Sequence, residues 1–367
     1  VKPAGRLREG FTTGTAASAA AKAATWLLAT GEALARVDTP LPDGTRLVLP
    51  VAESALDAGA ARAVVIKDGG DDPDVTHGAA IVARVAPADT PPGTITVDGG
   101  PGVGRVTLPG LPVAVGRPAI NPGPLKQIRA AVAEALDASG RPDLAVSVVI
   151  EVPDGKRLAA RTLNPRLGIV DGISILGVSG RVRPFSHDAW QASVAEALDV
   201  ARALGHGAIG FASGRRSEAL LAREYPELPA TARIQAADFF AFALAEAAKR
   251  GFSRIVWGTF GGKLVKMAQG LANTHAHRGE TNFSALADWC RLAGWPEELA
   301  CAAATANTAR HALGMAPDRA AKVALAEILA REALLAMRRF AGPGPELIVL
   351  AFDFDDTRLA RLEQTPR

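Results

Sequence analysis

Tyrosine occurs once in this 367-residue chain, cysteine twice, and aromatic residues together make up only 5% of it. A core so short of rings must be filled by aliphatic and small side chains. The 48% hydrophobic fraction is accordingly rich in alanine, which favours helices and close helix–sheet packing. Two cysteines are too few for a disulfide framework, and Cys290 and Cys301 lack zinc-site spacing. Both read as small core residues of a helical region. No apolar run approaches the roughly eighteen residues of a membrane-spanning helix. The opening VKPAGRLREGFTTG carries charge where a signal peptide needs an apolar core, so cytoplasm is the default expectation and no membrane partner is expected. Runs of Lys and Arg are absent and aromatics are not interleaved with basic residues, which argues against a nucleic-acid reader. A net charge of +3 suits a small anionic substrate equally well.

The length favours two domains. The first half mixes strands and a few helices without strict alternation. A helix is expected from near Gly14, capped by threonines, to Gly31. Strands are expected at TRLVLPV, ARAVVIK, AAIVARVA, TITVDGG and LAVSVVIEV, with a proline-led helix at NPGPLKQIRAAVAEALDASG. RLGIVDGISILG reads as a further apolar strand region. After it strands and helices alternate (GAIGFASG, the helix within RIQAADFFAFALAEAAKRG, SRIVWG, GKLVKMAQG), then alanine-rich helices fill 283 to 341 and ELIVLAFDF supplies a late strand. That rhythm predicts a largely parallel sheet covered on both faces. The fold class is therefore α/β, with an α+β N-terminal part, 1–165, and an α/β part, 166–367. PDG-x-R-L occurs twice, at 42–47 and 153–158, which is too little to establish a repeat.

Three expected strand ends run into glycine: LGVSG (176–180), FASGRR (211–216) and WGTFGGKL (257–264). In open α/β sheets ligands sit outside the carboxyl ends of the strands, and glycine lets the backbone approach them. Lys263 at a helix start opposes the helix dipole, which suggests an anion there. GGKL is not a P-loop, and GGPGVG (99–104) leads into no helix. LIVLAFDFDDTRLA looks like the opening of a phosphoaspartyl hydrolase but stands near the C-terminal end, so it reads as a last strand running into an acidic turn.

KDGGDDPDVTHG (67–78) packs four aspartates and a histidine into twelve residues. It lacks the oxygen alternation of a calcium loop, and His77 stands without the second ligand zinc would want. Two readings stay open: an Asx-turn cluster that fixes the loop, or acid/base chemistry from Asp72, Asp74 and His77. In RPFSHDAW, His187 reads as structural behind a Ser186 cap. NTHAHRGETN offers His275 and His277 in a polar loop.

LREGFTTGTAASAAAKAA, KDGGDDPDVTHG, GVGRVTLPGLPVAVGRPAINPGP, TLNPRLGIVDGISILGVSGRVRP and GKLVKMAQG followed by NTH closely resemble, in order, the cobalt-precorrin-5B (C1)-methyltransferase family of cobalamin biosynthesis. The resemblance runs from about residue 6 to 280. It implies methyl transfer from S-adenosyl-L-methionine to C-1 of cobalt-precorrin-5B, giving cobalt-precorrin-6A, with an anionic tetrapyrrole as substrate and no protein-bound metal. Many relatives carry cysteine after TTGT, where this chain has Ala16, so no thiol acts there. The substrate's acetates and propionates suit arginine forks. Within the resembling motifs the substrate-binding candidates are Thr12, Thr13, Lys67, Arg105, Arg166, Arg181, Arg183 and His275. The donor candidates on the glycine loops are Gly177, Ser179, Gly180, Ser213, Gly214, Gly258, Thr259, Gly261, Gly262 and Lys263, which favours the second domain for the donor. Alanine-rich helix faces allow a homodimer. The rival readings are a phosphate- or nucleotide-using transferase and a non-catalytic tetrapyrrole carrier.

Overall fold

The computed structural model describes residues 7–275 and 280–366, so His277 lies outside the described residues. The chain divides into two compact units, Val1–His187 and Asp188–Arg367.

In the first unit, helix α1 (Thr13–Thr30) is buried along most of its length. It can be, because seven alanines (Ala16, Ala17, Ala19, Ala20, Ala21, Ala23 and Ala24) leave no side chain that needs water. Thr12 caps it, accepting from the Thr15 amide at 3.2 Å, and Gly31 ends it at φ +79°. The helix lies on an antiparallel sheet built from β1 (Glu53–Asp57), β2 (Ala60–Ile66), β3 (Ala80–Pro87), β4 (Ile95–Gly99) and β5 (Val146–Glu151). The strand order is β1-β2-β3-β5-β4, and β4 alone runs parallel to its neighbour. Helix α2 (Pro122–Ala138) lies between β4 and β5 in the chain and makes the crossover that a parallel pair requires. Alternate residues Ala61, Ala63 and Val65 of β2 pair with Val85, Ala83 and Ile81 of β3, and all six are fully buried, the signature of a one-faced sheet.

Two expectations change here. The apolar stretch after residue 166 forms only two-residue strands. Ile169–Val170 pairs with Arg105–Val106, and Gly172–Ile173 with Gly102–Val103. Arg181–Val182 pairs with Gly10–Phe11. These pairings tie 166–187 to the first unit, so the chain divides after His187 and not at residue 165. The two PDG-x-R-L copies also differ. One turns the hairpin between Arg36–Pro40 and Arg46–Pro50, while the other starts the short helix Gly155–Ala159.

The second unit contains α3 (His187–Ala203), β6 (Ala208–Ala212), α4 (Arg215–Glu224), β7 (Arg233–Gln235), α5 (Phe240–Lys249), β8 (Arg254–Phe260) and α6 (Gly261–Ala268). Then follow α7 (Phe283–Leu292), α8 (Glu297–Ala304), α9 (Ala309–Gly314), α10 (Arg319–Ala341), β9 (Glu346–Phe352) and β10 (Arg358–Gln364). The sheet order is β7-β6-β8-β9-β10, parallel except for the last pair. Strand β10 is an addition to the expected pattern: RLARLEQ mixes polar and apolar residues and is half-exposed, with Arg358, Arg361 and Glu363 charged, as suits an edge strand. The core's few rings sit together, Trp257 with Phe211 at 5.2 Å and edge-on to Phe240 at 5.0 Å. Cys290 is buried there, and burial pushes its thiol up to about 11. Cys301 departs from expectation: it is exposed, its Sγ donating to Glu297 Oε1 at 3.1 Å.

Candidate functional site

In the first unit, three segments distant in sequence are knitted together. The Phe11 amide donates to Asp68 O at 2.9 Å, the Thr12 amide to Gly180 O at 3.0 Å, and the Phe185 amide to Asp72 Oδ1 at 2.8 Å. Thr13 Oγ1 lies 3.2 Å from both Ser174 O and Leu176 O. Gly177, Ser179 and Gly180, expected at a strand end of the parallel sheet, therefore belong to this cluster against Thr12 and Thr15. A Cβ at Gly177, already at φ +145°, would sit 2.4 Å from Thr12 Oγ1.

All four aspartates of the 67–78 loop have structural partners. Asp68 pairs with Arg8, which is the main cause holding its carboxyl below the usual range. Asp71 accepts from the Arg8 amide at 2.7 Å. Asp72 holds Phe185, a non-glycine residue at φ +59°. Its second oxygen has no partner among the described residues. Asp74 accepts from Thr76 N and Oγ1, both at 2.7 Å, and pairs with Lys67. Burial pushes the Asp74 carboxyl up, but Lys67 and Thr76 outweigh it and hold it low, which makes a weak base. Lys67 is 2% exposed and engaged with Asp74, so its ammonium is not offered to a ligand as expected. His77 Nδ1 accepts from the Gly69 amide at 3.0 Å. With Nδ1 an acceptor, the neutral ring carries its proton on Nε2 and presents a donor rather than a base.

The expected arginines fall into two groups. Arg181 flanks Gly10–Phe11, and Arg183 lies 3.5 Å from Glu9, both in the cluster just described. Arg105 donates to Gly116 O at 2.5 Å, and its strand pairs with Ile169–Val170, next to the single turn Asn164–Leu167 that carries Arg166.

In the second unit, β6 and β8 are neighbours from which the chain moves in opposite directions along the sheet, the switch point where open α/β sheets bind ligands. At their carboxyl ends Ser213 Oγ lies 3.4 Å from both Thr259 Oγ1 and Ser217 Oγ. Lys263 Nζ lies 3.0 Å from Asp238 Oδ1, 3.1 Å from Ala237 O and 3.5 Å from Ser213 O. The expectation that Lys263 awaits an anion is corrected. Its three donors already bind the loops after β6 and β7, including Ala237 at the unfavourable φ of +49°. This also counts against the P-loop-like reading, which needs a free lysine. Asp238, which sequence reasoning missed, follows β7 and receives Thr274 Oγ1 at 2.9 Å on Oδ1, while Oδ2 has no partner among the described residues. Lys266 is buried, and burial lowers its ammonium; Nζ donates to His275 O at 3.1 Å. Gly214 and Gly262 have nothing within 4 Å of where a Cβ would be, so both leave open space at this edge. Gly258 and Gly261 serve packing, since a Cβ would meet Phe352 at 3.2 Å and Leu313 at 2.4 Å respectively. Among the described residues, no three His, Cys, Asp or Glu side chains are grouped to hold a metal, and no helix is long and apolar enough to cross a membrane.

Two family models match the chain, CbiD over residues 1–184 and the CbiD C-terminal domain over 273–363. Relatives named Cobalt-precorrin-5B C(1)-methyltransferase are similar along nearly its whole length. That of Nitratidesulfovibrio vulgaris is 51% identical over 360 residues, covering 96% of this chain and 92% of the relative. Those of Salinispora arenicola and Rubrobacter xylanophilus are 43% identical (96% of this chain, 92% of the relative) and 45% identical (95% and 89%). The crystal structure of cobalamin biosynthesis protein (cbiD) from Archaeoglobus fulgidus is 29% identical, with a TM-score of 0.40, covering 72% of this chain and 80% of that one. With a family model spanning half of its residues and relatives this similar across almost all of them, the chain belongs to the CbiD family.

Proposed function

We infer that this chain is a methyltransferase of cobalamin biosynthesis that methylates cobalt-precorrin-5B at C-1. The observation that carries the reading is the 51% identity, over 96% of the chain, to a relative named for that reaction. We propose S-adenosyl-L-methionine as the methyl donor and the carboxyl edge of the second unit's sheet as its site. Two features of that edge support it. Ser213 and Gly214 connect β6 to α4, whose first-turn amides favour a polar or anionic group, and the missing side chain at Gly214 leaves room for it. Asp238 follows the adjacent strand about 20 residues on, where nucleoside-binding βαβ units keep a carboxylate for ribose hydroxyls.

When bound, the donor supplies an activated methyl group. The protein's part is alignment, worth roughly 7–11 kcal/mol in favourable cases. Lys263 holds the loops after β6 and β7 in register. Asp238 offers its unoccupied oxygen to a hydroxyl. The ring nitrogens of a conjugated tetrapyrrole supply electron density to the reacting carbon, so no enzyme nucleophile is needed. In the first unit, Asp74 is held down by Lys67 and His77 presents a donor, so neither of these two acid/base candidates is disposed to act as a base.

The test is calorimetric titration with S-adenosylhomocysteine, with and without a cobalt corrin precursor, followed by transfer from methyl-labelled donor. Single-site binding and label in the tetrapyrrole are expected, and Asp238→Asn should weaken S-adenosylhomocysteine binding about tenfold. Tetrapyrrole binding with no donor binding would favour a carrier.

A further inference from the structure

The acidic turn FDFDDT, which the methylation reading leaves without a role, follows β9 at the same carboxyl edge of the sheet. Its Phe354 ring is 40% exposed and stacks on Phe260, the last residue of β8, at 5.4 Å and 11°. Two guanidinium groups flank this pair. Arg216 lies 5.3 Å from the Phe260 centroid and Arg310 4.2 Å from that of Phe354. Arg310 belongs to α9, whose Leu313 lies at Gly261, the first residue of α6.

The charges around the stack do not balance. Asp353 pairs with Lys322 at 2.6 Å, Asp355 lies 3.7 Å from Arg319, and Asp356 pairs with Arg216 at 2.7 Å. Each acid of the turn thus has its own cation, and Arg216 also donates to Phe354 O. Arg310 has neither an ion pair nor a hydrogen bond among the described residues. It is a surplus cation, exposed but steadied against a ring, with its N–H fork unused. Arg215, also near this edge, has neither an ion pair nor a ring contact among the described residues.

We propose that Arg310, presented on the Phe260–Phe354 platform, receives a side-chain carboxylate of the tetrapyrrole substrate. The inference rests on the functional reading above. A guanidinium matches a carboxylate bidentately, and one already held over a ring loses less freedom on binding than a loose side chain. Because the turn's own acids are neutralised, they do not repel the incoming group. FDFDDT is then a scaffold for a binding arginine.

The experiment is fluorescence titration of the full chain with uroporphyrin, a porphyrin bearing acetate and propionate side chains, alongside calorimetry with S-adenosylhomocysteine. Arg310→Gln should weaken porphyrin binding about tenfold, and Arg310→Lys should restore part of the loss, because an ammonium carries the charge without the fork. Phe354→Leu should weaken binding about threefold by removing the platform. S-adenosylhomocysteine affinity should stay as in the wild type. Equal porphyrin affinity in wild type and Arg310→Gln would overturn the proposal, as would no porphyrin binding by the wild type or an equal loss of both ligands. Arg310-dependent porphyrin binding in a protein that transfers no methyl group would uphold this site while the functional reading failed.

Discussion

Gly10 and Gly70 let two backbones cross in contact. A Cβ on Gly10 would lie 2.3 Å from Asp68 O, and one on Gly70 would lie 2.2 Å from Arg8 O. Gly70 also needs φ +65°, which a side chain strains. Gly70→Ala should therefore destabilise the protein by about 3 kcal/mol or more, read from its urea midpoint. Beside it, Lys67→Met would leave Asp74 partly buried without its cation, at a cost of about 3 kcal/mol. Replacing both, as Lys67→Met with Asp74→Asn, should recover part of that loss in the same assay. Because the Asp74 carboxyl is held below its ordinary value, the pair's contribution is complete above the usual aspartate range and is lost as pH falls below that range through the depressed folded value. The loop's turn chemistry was legible from its aspartates and glycines. The Lys67–Asp74 pairing was not, since a sequence shows charges without showing which are buried.

Helix α1 tolerates burial only because it is small-sided. Ala20→Leu should overpack the face against the sheet and α2, costing about 1–3 kcal/mol, with the helix content by circular dichroism preserved. An ion network fastens this layer. Glu134 of α2 meets Lys22 of α1 at 2.7 Å and Arg46 of the 36–50 hairpin at 2.9 Å, and Arg46 reaches back to Asp38. Arg46 first, then Lys22, bring the Glu134 carboxyl down to about 2 against slight burial. Since the folded value is depressed, the network's stabilisation is complete above the ordinary glutamate range and disappears as pH falls toward 2. After solvent screening, Glu134→Gln should cost about 1 kcal/mol at neutral pH. The mutant and wild-type urea curves should converge in acid. Most elements of this layer were readable from caps, alternation and Gly/Pro punctuation. The two-residue strands around 102–106 and 169–182 were not, because their only support is pairing with distant segments.

Each unit closes its own hydrophobic core, one drawn from Phe11 to Ile175 and the other from Val194 to Ala360. A fragment of residues 188–367 should therefore fold alone and melt in one cooperative transition. A featureless melt would show that its sheet depends on the rest of the chain. Composition, glycine punctuation and the strand–helix rhythm sufficed for the fold class and for most element positions, because those depend on local periodicity, while the family rested on the resemblance of five motifs in order. Tertiary structure alone decided which loops meet. It moved 176–180 from the parallel sheet to the α1 cap, engaged Lys263 with Ala237 and Asp238, and set Arg310 on a ring of the FDFDDT turn with no acid paired to it among the described residues. Partners such as these depend on strand order and long-range register, which bring residues 25 (Lys263 and Asp238), 44 (Arg310 and Phe354) and 168 (Thr12 and Gly180) positions apart into contact and which no local pattern encodes.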